Sequence, residues 1–299
     1  MRKLLVALLI VASAIAVSVA QGATTDSMVD VGGYRLNVRQ GGNGRPDVPT
    51  VVFENGLGTP LRSWLRVQQQ ISEVARTISY DRSGIGTSEL AKDAPTPANI
   101  ARQLHTLLAR LEAPPPYILV GHSYGGPLSH TFAVTYPKEV AGLVYVDPTD
   151  FTQTVADHQD LWNKAGAPDG RAWEVKANEQ SLQSVSPGIQ AEIREVMKAQ
   201  TSGFAAVFRE LGDAPDVPIV VLLAGQTPAL PPGPAFPGDF DKFSNAMVAQ
   251  RMEHFGNMTR RAKNGMLLLV GPAGHFIQTT EPDTVVMAIR RVLALASAK

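Results

Sequence analysis

The chain has 299 residues, 44% of them hydrophobic and 18% charged, which is ordinary for a globular protein and excludes a disordered, collagen-like or coiled-coil chain. The 27 basic residues balance the 27 acidic ones, so the net charge does not favour nucleic acid or an anionic surface as a partner. The absence of cysteine excludes disulfides, thiolate metal sites and thiol nucleophiles.

The first twenty residues have the pattern of a secretory signal peptide. Arg2 and Lys3 precede an apolar stretch at 4–19, and the small residues Ser18 and Ala20 suit a signal peptidase. We therefore expect residues 1–20 to be removed and the protein to be exported, either to the periplasm or out of the cell. The alternative is an uncleaved membrane anchor, because the apolar stretch falls only slightly short of the ~18 residues that span a bilayer.

Short apolar runs alternate with segments of helical periodicity along the rest of the chain. The opening residues 29–38 predict an antiparallel hairpin around Gly32 and Gly33. Strands are predicted at 50–53, 76–80, 117–120, 140–146, 218–223 and 266–270. Helices are predicted at 63–74 (with Ser63 as its N-cap), 96–111, 125–136, 241–262 and 282–296. This succession predicts an α/β fold with a mostly parallel sheet covered on both faces.

Residues 151–212 interrupt this alternation. Polar, helix-forming residues dominate the segment and no strand-like run occurs in it, so it predicts a helical insertion. A proline-rich loop at 227–239 is the only other biased stretch. We therefore expect one α/β domain over 21–299, carrying the insertion, with no second autonomous domain.

The sequence GHSYG at 121–125 directly follows a predicted strand and directly precedes a predicted helix. A sharp strand-to-helix turn holds its central Ser123 in a strained conformation that only small flanking residues permit. Ser123 would also lie at a helix N-terminus, where backbone N–H groups favour developing negative charge. This placement predicts that Ser123 is a nucleophile.

Four separated motifs together resemble the α/β-hydrolase fold superfamily. They are FENGLG at 53–58, DRSGIGTS at 81–88, GHSYGG at 121–126 and GHF at 274–276. The resemblance implies a doubly wound sheet with a helical cap insertion, and a serine nucleophile. It also implies that residues 53–58 form the oxyanion loop, although this chain has Asn55 where the family often has histidine.

His275 is the candidate general base. The resemblance places the catalytic histidine at this position, and the ordinary pKa of histidine lies close to neutral, as a base for serine requires. The other five histidines lack a paired signal, and His122 is expected to pack beside the nucleophile. Since no cluster has the spacing of metal ligands, we expect neither a metal nor a cofactor.

Several aspartates are candidates for the acid of the triad. No carboxylate follows the predicted strand 218–223, where the family usually places it, whereas Asp147 ends the strand 140–146, where some members have it. Asp147 could instead only start a turn with Pro148. Three further aspartates stay open as alternatives to Asp147: Asp150, Asp239 and Asp241.

The expected chemistry is acyl transfer from a carboxylic ester or lactone, with the backbone N–H groups of Tyr124 and Leu57 receiving the oxyanion. The expected partner is a small-molecule substrate; the oligomeric state stays open. Two other functions remain: a cofactor-free peroxidase or perhydrolase with the same triad, and a non-catalytic ligand-binding member of the fold. Four aromatic residues of the insertion could line the site or simply pack: Trp162, Trp173, Phe204 and Phe208.

Overall fold

Eight strands form one sheet in a computed structural model of the chain, which describes residues 24–209, 212–226 and 235–297. The strands are β1 (Thr25–Asp30), β2 (Arg35–Gly41), β3 (Thr50–Glu54), β4 (Thr77–Tyr80), β5 (Tyr117–His122), β6 (Val140–Val146), β7 (Ile219–Ala224) and β8 (Met266–Val270). The predicted signal peptide, 1–20, lies outside the described residues, as does most of the proline-rich loop.

The strand order is β1-β2-β4-β3-β5-β6-β7-β8. Strand β2 pairs antiparallel with both β1 and β4, and every other pairing is parallel. The predicted α/β class with a mostly parallel sheet is therefore confirmed, as is the opening hairpin. Its turn has positive φ at Gly32 and Gly33, whose N–H groups both donate to the Asp30 carboxylate. This topology brings the carboxyl ends of β3 to β8 to one edge of the sheet.

Helices cover both faces of the sheet. They are α1 (Leu65–Ile71), α2 (Pro97–Arg110), α3 (Gly125–Thr135), α4 (Val155–Lys164), α5 (Gly170–Ser181), α6 (Pro187–Ser202), α7 (Phe204–Arg209), α8 (Phe240–Arg261), α9 (Ile277–Thr280) and α10 (Pro282–Ser297). Apolar side chains of α1 and α10 form the core on one face, and those of α2, α3 and α8 form the core on the other. Both faces of the central strands are consequently buried, which explains their uninterrupted apolar sequences.

The prediction that Ser63 caps the first helix is wrong. Ser63 lies inside a short 3₁₀ turn, Leu61–Trp64, and the α-helix begins only at Leu65. The N–H of Ser63 donates to the carbonyl of Pro60, which commits its backbone to the tighter turn. The helix also ends at Ile71, three residues earlier than predicted.

Four helices, α4 to α7, lie between β6 and β7, within the segment predicted to be a helical insertion. Helix α4 begins with a capping box, in which Thr154 and Asp157 each bond to the other's backbone N–H. Among the described residues, no helix is long and apolar enough to cross a membrane.

Candidate active site

Ser123 lies in a strained turn between β5 and α3. Its φ is 51°, in the left-handed region that residues other than glycine rarely adopt. Small neighbours are obligatory here. A Cβ on Gly121 would lie 2.3 Å from the carbonyl oxygen of Gly125, and one on Gly125 would lie 2.4 Å from that of Glu54. The glycines of the GHSYG sequence are therefore required by the close approach of β3, β5 and α3 at the carboxyl edge of the sheet.

His275 approaches Ser123 from the loop after β8. Its Nε2 lies 3.0 Å from the Ser123 Oγ, and its Nδ1 lies 2.6 Å from Oδ2 of Asp147. Since an ionised carboxylate only accepts hydrogen bonds, Nδ1 carries the proton and donates to Asp147. The lone pair of Nε2 then faces the serine hydroxyl, as a general base requires.

Asp147 closes β6 in a positive-φ conformation, at 43°, and is 3% exposed. Its second oxygen, Oδ1, accepts from the backbone N–H of Ala224 at 2.9 Å and from Nη2 of Arg251 at 2.8 Å. Burial by itself would raise the pKa of Asp147, but the Arg251 charge and the hydrogen bonds from His275 and Ala224 hold that pKa well below its usual range. The carboxylate is thus kept ionised beside His275.

The three alternative acids lie elsewhere. Asp150 binds Nδ1 of His254 at 2.7 Å, Asp239 caps α8 by accepting from the N–H of Lys242, and Asp241 lies in the first turn of that helix. Among the described residues, none of the three contacts His275.

Sequence reasoning missed Arg251. It lies in the middle of α8, and its guanidinium donates to Asp147 and to the carbonyl of Pro148, each at 2.8 Å. No local pattern marks it, because its partners are more than one hundred positions away in the chain. The side chain is nevertheless buried and is the only cation bound to Asp147 in the described part of the chain.

His122 packs beside the candidate triad, as expected. Its Nε2 donates to the backbone carbonyl of His275 at 2.9 Å, which helps to fix the loop that carries His275. Burial above all, and then the neighbouring His275 imidazole, lower the pKa of His122 to about 3. His122 is therefore neutral near pH 7 and supplies no competing charge.

The predicted oxyanion donors flank Ser123. A Cβ on Gly56 would lie 3.3 Å from the Ser123 Cβ, so the loop after β3 touches Ser123. Within residues 24–209, the backbone N–H groups of Leu57 and Tyr124 bond to no protein acceptor. Asn55, where the family often has histidine, donates from Nδ2 to the carbonyl of Tyr80 at 2.6 Å and so supports the loop in its own way.

Two recesses meet at His275. One is a cavity of about 340 Å³ between α8 and the inserted helices. Its lining includes Asp147, Gln153, His158, Phe204, Phe243, Arg251 and His275. The other is an open groove of about 610 Å³ on the outer side, lined by residues that include Thr59, Arg62, His275 and Phe276. His275 therefore lies at the boundary between the two recesses.

Of the four aromatic residues considered for the site, only Phe204 lines this cavity. Trp162 and Trp173 pack against one another with ring centroids 6.0 Å apart, and Phe208 contacts Phe151 in the core. Most of the aromatic side chains of the insertion therefore contribute packing. In the described ranges, no three histidine or acidic side chains are grouped so that they could hold a metal ion.

Comparisons with known proteins agree with the fold. A family model described as alpha/beta hydrolase fold matches residues 49–196. The AB hydrolase superfamily protein of Gibberella zeae is 24% identical, over 87% of this chain and 91% of its own length. The uncharacterized protein YqjL of Bacillus subtilis is 31% identical over 40% of this chain, and the match spans 46% of its length. The solved epoxide hydrolase CorEH superposes with a TM-score of 0.62 at 15% identity, covering 91% of this chain and 99% of that one.

Proposed function

The chain belongs to the α/β-hydrolase fold superfamily, and on that premise we propose that it is a serine hydrolase of carboxylic esters or lactones. The observation that carries the proposal is the continuous hydrogen-bonded series from Ser123 through His275 to Asp147, with separations of 3.0 and 2.6 Å. Fold alone does not decide between the chemistries that this superfamily supports. A serine at the elbow, in place of the carboxylate nucleophile of dehalogenases and epoxide hydrolases, favours acyl transfer.

In the first half of the reaction, Ser123 Oγ attacks the ester carbonyl carbon while its proton passes to Nε2 of His275. The carbonyl oxygen becomes an oxyanion that accepts from the N–H groups of Leu57 and Tyr124. The bond between carbon and the leaving alkoxide then breaks, and the alkoxide takes the proton from His275. The products are an acyl-enzyme and the alcohol.

In the second half, a water attacks the acyl carbonyl and gives its proton to His275. The bond to Ser123 Oγ breaks, Oγ recovers the proton, and the free acid leaves. Asp147 accepts from Nδ1 throughout, so it fixes the imidazole tautomer and stabilises the imidazolium in both halves. Arg251 and the Ala224 N–H keep Asp147 ionised and oriented for this task.

The test combines turnover with covalent labelling. The purified mature chain is expected to hydrolyse p-nitrophenyl butyrate and to lose that activity when treated with a fluorophosphonate. Mass spectrometry should locate one adduct on the peptide that contains Ser123. A Ser123→Ala protein should show neither the adduct nor the activity. Equal ester turnover by wild type and Ser123→Ala would refute the proposal, and so would a wild type that takes no label.

A further inference from the structure

Three charged side chains are buried together beneath the loop at 55–58. Arg82, from the DRSGIGTS motif, is 1% exposed, Glu54 is 2% exposed and Glu192 is 1% exposed. Arg82 pairs with Glu54 through Nη1 at 2.7 Å. It pairs with Glu192 in a two-bond arrangement, through Nε at 2.6 Å and Nη2 at 2.9 Å. Such an arrangement has fixed geometry, because the guanidinium is planar and both of its bonds are charge-assisted.

The same groups also hold the backbone on both sides of Leu57. Arg82 donates from Nη1 to the carbonyl of Asn55 at 2.6 Å and from Nη2 to the carbonyl of Gly56 at 2.8 Å. Oε2 of Glu192 accepts from the N–H of Gly58 at 2.9 Å. The peptide unit before Leu57 is thus held through its oxygen, and the unit after it is held through its nitrogen.

This arrangement determines where the Leu57 N–H points. The carbonyl of Gly56 and the N–H of Leu57 belong to one planar trans peptide unit, so they point in opposite directions. When Arg82 binds the oxygen on the buried side, the N–H is directed away from that side and keeps no protein acceptor within residues 24–209. It is therefore available to an oxyanion.

Glu192 is carried by the inserted helices. It lies on α6, which is pressed directly against the loops of the site. A Cβ on Gly84 would lie 2.7 Å from the Cα of Gly188 at the start of α6, so the two backbones touch. Ile189 likewise packs against Gly58, where a Cβ would lie 3.0 Å from its side chain. Helix α6 thus has a fixed position relative to the loop that it supports.

We propose that Glu192, acting through Arg82 and the Gly58 N–H, is a positioning residue for the oxyanion donor of Leu57. Helix α6 of the insertion is then part of the catalytic apparatus as well as a wall of the enclosure. The inference rests on the proposed function, because it assigns a role within the same acyl-transfer reaction. In this role Glu192 contributes to stabilisation of the transition state of any ester and does not select one particular substrate.

The experiment compares Glu192→Ala and Glu192→Gln with Glu195→Gln. Glu195 lies on the same helix and pairs with the exposed Lys198, and it has no hydrogen bond to the loop at 55–58 in the described ranges. Its variant therefore removes the same charge from α6 and leaves the contacts of that loop in place. Titration with a fluorophosphonate counts the competent sites of each protein, which corrects the rates for any unfolded fraction. The kcat and KM for p-nitrophenyl butyrate are then measured, together with the inhibition constant of phenylboronic acid. The boronate forms a tetrahedral adduct on serine and so reports the oxyanion site.

For Glu192→Ala we expect kcat per competent site to fall by about 10- to 100-fold, somewhat less than the loss of a whole oxyanion donor. The KM should change less than about threefold, and the boronate should bind more weakly by a factor similar to the loss in kcat. Glu192→Gln keeps an oxygen that accepts from the Gly58 N–H, so it should recover part of the loss and should fold even where the alanine variant does not. Glu195→Gln should match the wild type.

Two failures are distinguishable. A wild type that neither hydrolyses the ester nor takes the label refutes the proposed function. An active, labelled wild type whose Glu192 variants keep their kcat and their boronate affinity refutes the positioning role alone. A rise in KM at unchanged kcat also contradicts that role, since it would make Glu192 only part of the substrate enclosure.

Discussion

Replacing Asp147 with asparagine separates its charge from its shape. In the wild type, Oδ1 of Asp147 lies 2.9 Å from the Ala224 nitrogen and 2.8 Å from Nη2 of Arg251. Asparagine keeps an oxygen that can accept both of these hydrogen bonds. Its amide nitrogen then faces Nδ1 of His275, at the position of an oxygen 2.6 Å away. An amide nitrogen only donates, so the imidazole must take the other tautomer, with its proton on Nε2. The lone pair that should accept the proton of Ser123 is no longer there.

The expected loss follows from that tautomer. An acid in this role contributes up to about 10⁴ in turnover, and a loss of 10³ to 10⁴ corresponds to about 4–5.5 kcal/mol of transition-state stabilisation. The stability cost should be smaller, about 1.5–3 kcal/mol, because the variant loses charge-assisted bonds while retaining their geometry. The depressed pKa of Asp147 gives that cost a definite pH dependence. Its contribution is present above the unfolded pKa near 3.8 and is lost as the pH falls through the lower folded pKa.

The assay measures kcat for p-nitrophenyl butyrate and the thermal midpoint of Asp147→Asn, with Asp239→Asn as the matched control. Asp239 accepts from the Lys242 N–H at the start of α8 and contacts no triad residue in the described ranges. Because asparagine caps a helix about as well as aspartate, its variant should keep both its activity and its thermal midpoint. An Asp147→Asn protein that keeps more than a tenth of wild-type kcat would contradict the tautomer argument. An inactive Asp239→Asn protein would indicate that Asp239, at the end of the proline-rich loop, is the acid of the triad.

Four further outcomes are expected. Ser123→Ala should abolish ester hydrolysis with no loss of thermal stability, because the hydroxyl serves the chemistry and its backbone strain is unaffected by the change. Arg251→Met should lower kcat by up to about 100-fold because the Asp147 carboxylate is misplaced, and Arg251→Lys, which keeps the charge, should recover part of that loss. An equal kcat in the wild type and both variants would refute the positioning of Asp147 by this arginine. The hydrogen bond to Asp150 raises the pKa of His254, so this pair stabilises the fold below the ordinary histidine pKa of 6.5 and loses its effect as the pH rises through the folded pKa. His254→Gln should therefore lower the thermal midpoint more at pH 5.5 than at pH 9. An equal drop at both pH values would contradict this. Finally, we propose export with cleavage before Gln21, which N-terminal sequencing of secreted or periplasmic protein checks and which detection of an intact leader there would refute.

The sheet was predictable because its strands are buried on both faces and therefore have uninterrupted apolar sequences, as at 140–146. The meeting of Ser123, His275 and Asp147 was predictable for a related reason. Each follows a parallel strand, and the carboxyl ends of parallel strands share one edge of the sheet. The family resemblance pointed to His275 and to Asp147 among several aspartates, and the shared sheet edge explains why these side chains meet Ser123. The catalytic roles themselves remain a proposal.

Arg251 and Glu192 were not predictable in the same way. Each lies in the middle of a helix, where its polarity is indistinguishable from that of a solvated helix face. Their partners are 104 and 110 positions away, so no short motif connects them. A buried ion pair becomes visible only when the packing of helices on the sheet is known. The misplaced cap at Ser63 has a more local cause, since a 3₁₀ turn and the first turn of an α-helix have similar sequence requirements.

The strained backbone of Ser123 sets the stability of the fold against the proposed chemistry at a single position. A non-glycine residue at a φ of 51° costs about 1 kcal/mol relative to glycine, so Ser123→Gly should yield a more stable and inactive protein. Variants selected only for thermal resistance would therefore be expected to lose Ser123 early, whereas selection that also requires the proposed ester hydrolysis must preserve it. Directed evolution of this chain for stability therefore needs an activity screen at every round, because otherwise the more stable Ser123→Gly variant would be selected.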